Sequence, residues 1–141
     1  MSTKLNPYLG FRDTAKQAMN FYQSVFGGEL ILSTFGDFQA SEDPAEQAKI
    51  MHGMLVTDSG LTLMGADTPN AMNYTPGNNY SVSLSGEDDA ELRRYWEQLS
   101  AEGTIAMALE RAPWGDLFGM CADKFGVNWL INIAAPQSSG S

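Results

Sequence analysis

Ala15-Lys16-Gln17-Ala18-Met19-Asn20-Phe21-Tyr22-Gln23-Ser24-Val25-Phe26-Gly27-Gly28-Glu29-Leu30-Ile31 is the stretch on which the fold turns. Ala15, Ala18, Met19, Tyr22, Val25 and Phe26 recur at the spacing of one helix face. Asp13 or Thr14 can cap the start. The Gly27-Gly28 pair ends the helix, because glycine adopts the backbone conformations of a C-cap without steric cost. A strand is expected next, over residues 29–35. Farther along, Leu92, Tyr95, Trp96 and Leu99 repeat the apolar stripe. Asp88 and Asp89 stand at the positive end of that second helix, and Gly103 stops it.

Outward from these helices the pattern is β. Strands are expected over residues 5–11, 29–35, 50–57, 61–66, 80–85, 105–111, 117–122 and 127–133. Asp58-Ser59-Gly60 and Asp123-Lys124-Phe125-Gly126 read as tight hairpin turns between apolar runs. Residues 35–49 read as a long acidic loop with Asp37, Glu42, Asp43 and Glu46, and residues 67–79 as a loop rich in Asn, Pro and Gly. The order is strand, helix, three strands, and then the same again. Phe21-Tyr22 corresponds to Tyr95-Trp96, Leu9-Gly10-Phe11 to Val82-Ser83-Leu84, and Gly60-Leu61-Thr62-Leu63-Met64 to Gly126-Val127-Asn128-Trp129-Leu130. Duplication explains this pairing, since neither half can bury its apolar face alone. The expected fold is α+β: two tandem βαβββ modules, about 4–70 and 74–134, forming one curved mixed sheet around a cleft, with the helices outside. Residues 4–134 make one domain, and 135–141 a disordered tail.

Composition removes whole classes of function. With 8 Lys+Arg against 17 Asp+Glu among 141 residues, the net charge of −9 opposes nucleic acid and anionic lipid. A single cysteine, Cys121, excludes an internal disulfide and any cysteine-cluster metal site, and a single histidine, His52, excludes every one-chain site that needs two. No apolar run approaches the ~18 residues of a membrane span, and the N-terminus lacks a signal-peptide stretch. A cytoplasmic location is expected.

Alternation along the strands separates two faces. Leu9, Phe11, Leu61, Leu63, Val82, Leu84, Val127, Trp129 and Ile131 are expected under the helices. Asn6, Tyr8, Thr62, Met64, Ser81, Ser83, Asn128 and Asn132 are expected on the other face, in the cleft. A concavity lined by amides and hydroxyls suits a small-molecule site or trapped water.

Pro7-Tyr8-Leu9, Ala18-Met19-Asn20-Phe21-Tyr22 with Val25-Phe26-Gly27-Gly28-Glu29-Leu30, Lys49-Ile50-Met51-His52, Gly77-Asn78-Asn79, Trp114-Gly115 and Asp123-Lys124-Phe125-Gly126-Val127-Asn128-Trp129 resemble the PhnB-like branch of the vicinal oxygen chelate superfamily. That superfamily holds glyoxalases, extradiol dioxygenases and bleomycin-resistance proteins. The resemblance spans residues 5 to 133 and implies a homodimer. The branch often carries a demethylubiquinone methyltransferase label, but nothing in these residues points to methyl transfer. Metal-using relatives take ligands from the first and last strands of each module. By position these fall on Asn6, Met64, Ser81 (or Asn79) and Leu130, none of which is a carboxylate or imidazole, so no metal is expected on the usual ligands.

Two functions follow from this set. The first is a binding protein that holds a small organic molecule against Asn6, Tyr8, Asn79, Ser81, Trp114, Asn128 and Asn132, with no cofactor. The second is a lyase or isomerase that uses His52 and Glu110, with a non-standard divalent metal left open. His52 reads equally as a half-buried structural imidazole, and Glu110 as a solvated end-of-strand charge. Trp114 reads as a lid aromatic or an interface residue. Cys121 reads as a buried small hydrophobe, its thiol pushed up if anything by Asp123.

Overall fold

The computed structural model describes residues 3–135. Residues 136–141 of the expected tail lie outside the described residues. Two compact units divide at Pro76 and Gly77. The first holds β1 (Tyr8–Phe11), α1 (Ala15–Phe26), β2 (Glu29–Thr34), the one-turn α2 (Pro44–Gln47), β3 (Ile50–Val56) and β4 (Thr62–Asp67). The second holds β5 (Val82–Gly86), α3 (Asp89–Ser100), β6 (Thr104–Arg111), β7 (Leu117–Ala122) and β8 (Asn128–Ile133). None of the described helices is long and apolar enough to cross a membrane.

The strands form two four-stranded mixed sheets, β1-β4-β3-β2 and β5-β8-β7-β6, rather than the single curved sheet expected. In each unit the first strand returns parallel to the last, Tyr8 against Met64 and Ser83 against Leu130, so each ladder closes on its own module. The antiparallel pairs then set the faces. Leu9, Phe11, Leu55 and Leu63 are buried with Ala15, Ala18, Met19 and Tyr22 of α1. A Cβ on Gly53 or Gly65 would press on Met19, so these glycines let α1 lie close to the sheet. In the second unit Val127, Trp129 and Ile131 are buried with Leu92, Trp96 and Leu99 of α3, and Gly119 makes room for the Trp96 ring.

The hairpin turns match in hydrogen bonding. Thr57 N–H donates to Leu61 O and Gly60 N–H to Thr57 O, as Asp123 N–H does to Val127 O and Gly126 N–H to Asp123 O. Gly60 (φ 93°) and Gly126 (φ 86°) take the left-handed conformation that each turn requires.

Some expectations fail at the edges. Leu5 is fully exposed ahead of β1, and Tyr80 precedes β5. Leu61 is exposed because it belongs to the turn before β4 and not to its helix-facing row. Val82 and Leu84 are only half-buried. The acidic loop contains α2, where Asp43 caps Ala45 N–H and Pro44 starts the turn. Thr14 is the N-cap of α1, but its side chain makes no capping bond. That role falls to Asp67, whose Oδ1 accepts from Ala15 N–H at 3.0 Å while its Oδ2 accepts from Ile50 N–H at 2.9 Å.

Candidate functional site

One face of each sheet carries its helix; the other carries the side chains singled out above. In the first unit that face holds Tyr8, His52, Met54, Met64 and Ala66. A Cβ added to Gly10 would meet nothing within 4 Å, so the face is open there. Tyr8 and His52 come together, their ring centroids 6.0 Å apart and tilted by 30°. His52 is half-buried, and among the described residues neither of its ring nitrogens has a hydrogen-bond partner. Asn6 lies just before β1, half-buried.

In the second unit the open face is more elaborate. The cross-strand row Ser85, Asn132, Phe118 and Glu110 runs over all four strands. Trp114, in the turn between β6 and β7, stands over this row with 60 % of its surface exposed. Its indole N–H donates to Asn132 Oδ1 at 3.3 Å, and its ring meets Phe118 edge-on at 5.4 Å. Asn132 Nδ2 donates to Asp116 Oδ2 at 3.0 Å, and Ala135 N–H donates to Asp116 Oδ1 at 2.9 Å. These two bonds, the Asn132 amide first, hold the Asp116 carboxyl below the usual carboxylate range. The turn is closed by Ala112 N–H on Asp116 O and by the Arg111 guanidinium on Gly115 O.

Of the expected site residues, the structure therefore brings Tyr8 to His52 and Trp114 to Asn132. Asn128 reaches only the Tyr80 carbonyl, at 3.5 Å, and Asn79 and Ser81 are exposed ahead of β5. Glu110 is exposed beside Phe118 in the second unit, whereas His52 belongs to the first. Sequence reasoning missed Phe118 and Asp116. Phe118 was legible from the alternation of β7, where Gly119 and Cys121 take the helix side. Asp116 carried no local signal, since its partners lie at Asn132 and Ala135.

Beneath this face, Asp123 organises the β7–β8 hairpin from a buried position. Oδ1 accepts from Phe125 N–H and Val127 N–H, and Oδ2 accepts from the Trp129 indole at 2.9 Å. Cys121, buried beside it, has its thiol pushed up to about 11, by desolvation first and by the Asp123 charge second.

The donor chemistry does not fit a hard divalent ion. Met64 offers a thioether and Leu130 nothing; their strand partners Tyr8 and Ser83 offer a phenol and a hydroxyl. Among the described residues no group of three His, Cys, Asp or Glu converges on a point.

Comparison with known proteins gives a consistent picture. Residues 3–132 match the family model described as 3-demethylubiquinone-9 3-methyltransferase. Protein YjdN of Escherichia coli is 30 % identical, over 94 % of this chain and 97 % of its own. A Bacillus cereus structure described as a putative 3-demethylubiquinone-9 3-methyltransferase, PhnB protein, is 27 % identical with a TM-score of 0.76, over 94 % of this chain and all of that one. A Sphaerobacter thermophilus member of the glyoxalase/bleomycin resistance protein/dioxygenase superfamily shares the fold, at 17 % identity and a TM-score of 0.61, over 95 % of this chain and 98 % of that one.

Proposed function

The chain belongs to the PhnB-like family described as 3-demethylubiquinone-9 3-methyltransferase, and from that premise we propose that it binds a small organic molecule on the helix-free side of its sheets. The observation that carries this reading is Trp114. Its N–H is tied to Asn132 and its edge is set by Phe118, yet most of the ring stays in water. A fixed, exposed indole beside a bonded amide is a preorganised stacking platform with a polar register point. Asn79, Ser81 and Asn128 of the same unit supply further polar contacts in the same proposal.

Methyl transfer is no part of it. Fold membership alone does not assign chemistry.

The protein acts as a homodimer in the cytoplasm under this reading. The exposed edge strand β6, with Ile105 and Met107 half in water, supports association through an apolar edge. A second reading, a lyase or isomerase, draws on the imidazole of His52, whose ring nitrogens have no hydrogen-bond partner among the described residues, and its test is turnover that disappears in H52Q.

Tryptophan fluorescence tests the main proposal, because Trp96 and Trp129 are buried and Trp114 is exposed. Saturable quenching by members of a planar-fragment library is expected, with affinity at least tenfold weaker in N132A, and the same loss is expected by titration calorimetry in W114A, which lacks the reporting indole. Binding that survives both substitutions would place the site elsewhere.

A further inference from the structure

The face that rejects a hard divalent ion has the donors for a soft one. Met54 stands directly opposite Met64 across the β3–β4 ladder, and His52 is the next residue of β3 on that side. β4 lies between β1 and β3. Neighbouring strands are about 4.8 Å apart, so the β1 and β3 backbones stand roughly 9.6 Å apart. The Tyr8 and His52 rings nevertheless approach to 6.0 Å, so both lean over β4, where Met64 is the cross-strand partner of Tyr8 on one side and of Met54 on the other. The imidazole thus leans toward the strand that carries Met64, and it stands two residues from Met54 on the same face of β3, with both nitrogens unpartnered among the described residues. The surrounding pairs are Ile31 beside Met54, Ser33 beside His52 and Gly10 beside Ala66. None of these carries a charge.

Three neutral donors, two thioether sulfurs and one imidazole nitrogen, suit a soft cation of single charge. Thioethers select Cu(I) and imidazole accepts copper, whereas magnesium, calcium or manganese would want carboxylates that these rows lack. Methionine side chains are unbranched and adaptable, so Sδ atoms on facing strands can close on one ion without moving the backbone. We propose that His52, Met54 and Met64 form a site for a soft monovalent cation, Cu(I), bound by one imidazole nitrogen and two sulfurs. The site belongs to the first unit, and its test needs no organic ligand.

The experiment is anaerobic titration of the full chain with Cu(I) against bathocuproine disulfonate. One equivalent should be withdrawn from the chelator, with affinity at least tenfold weaker in H52Q, M54L and M64L and unchanged in C121S, which removes the chain's one thiol. Because Met→Leu nearly conserves volume, the variants should fold, and the unmodified chain gives an independent readout. On adding Ag(I), a redox-inert stand-in for Cu(I), the ε-methyl resonances of Met54 and Met64 should shift among the 8 methionines. Cu(I) left wholly with the chelator, binding that persists in the M54L/M64L double variant or vanishes in C121S, or Ag(I) shifts at other methionines instead would each overturn the proposal.

Discussion

Substituting Asp67 tests how the first unit is held together. Its carboxylate is buried, and each oxygen accepts one backbone N–H: Ala15, at the start of α1, and Ile50, at the start of β3. In D67A both donors are orphaned in a dry site. Leaving a buried donor unsatisfied costs about 1–3 kcal/mol each, so the expected loss is about 2–6 kcal/mol. D67N should fall between, because the amide keeps one acceptor oxygen but turns a donor toward the other N–H. Thr14 provides the contrast. It occupies the N-cap position without a side-chain bond, so T14A should change stability by less than about 0.5 kcal/mol. The assay is urea unfolding followed by far-UV circular dichroism. Fluorescence would report the wrong unit, since Trp96, Trp114 and Trp129 all lie in the second. A D67A variant within about 0.5 kcal/mol of the parent, or a T14A variant that loses more than D67A, would refute the assignment of the cap to Asp67.

Trp129→Ala should cost about 3–5 kcal/mol in chemical denaturation, as a core deletion that also strips Asp123 Oδ2 of its indole donor; a near-neutral change would put the ring on the wrong face. Gly28→Ala and Gly103→Ala should each destabilise by about 1–3 kcal/mol, because a Cβ would strike the carbonyl oxygens of Val56 and Ala122 at the equivalent ends of β3 and β7; equal melting temperatures for parent and variants would contradict this. Stability should fall at alkaline pH. The folded state raises Cys121 from 9.0 to about 11 and Tyr95 from 10.0 to about 12, the latter by desolvation first and the Glu91 hydrogen bond second. The folded chain therefore keeps protons that the unfolded chain has lost. Both contributions are complete below pH 9 and disappear as pH rises through the folded values. In C121S the decline between pH 9 and 11 should be shallower, and a slope identical to the parent's would rule out the thiol's part.

The helices, the glycines that end them, the two hairpin turns and the alternation of β4 and β8 were legible in the chain. Each depends on residues within one or two turns of one another, where local sterics and the helix or strand period dictate the outcome. The same periodicity placed Leu63, Trp129 and Ile131 in the core and Asn128 and Asn132 on the other side. It failed for Leu61, because a residue at the mouth of a turn is not yet committed to a face. Tertiary structure decided what long-range partners decide. Asp67 caps a helix that begins 52 residues earlier, and Asp116 is held by Asn132 and Ala135. No local pattern encodes such bonds, because a carboxylate accepts from whichever N–H the folded backbone brings to it. The division of the strands into two ladders has the same origin. Which strand lies beside β1 is settled by the parallel return of β4, a pairing across most of a module that alternation within either strand leaves unspecified. The meeting of His52 with Tyr8 over β4, and of Trp114 with Phe118 and Asn132, follows from that pairing and not from the spacing of those residues along the chain.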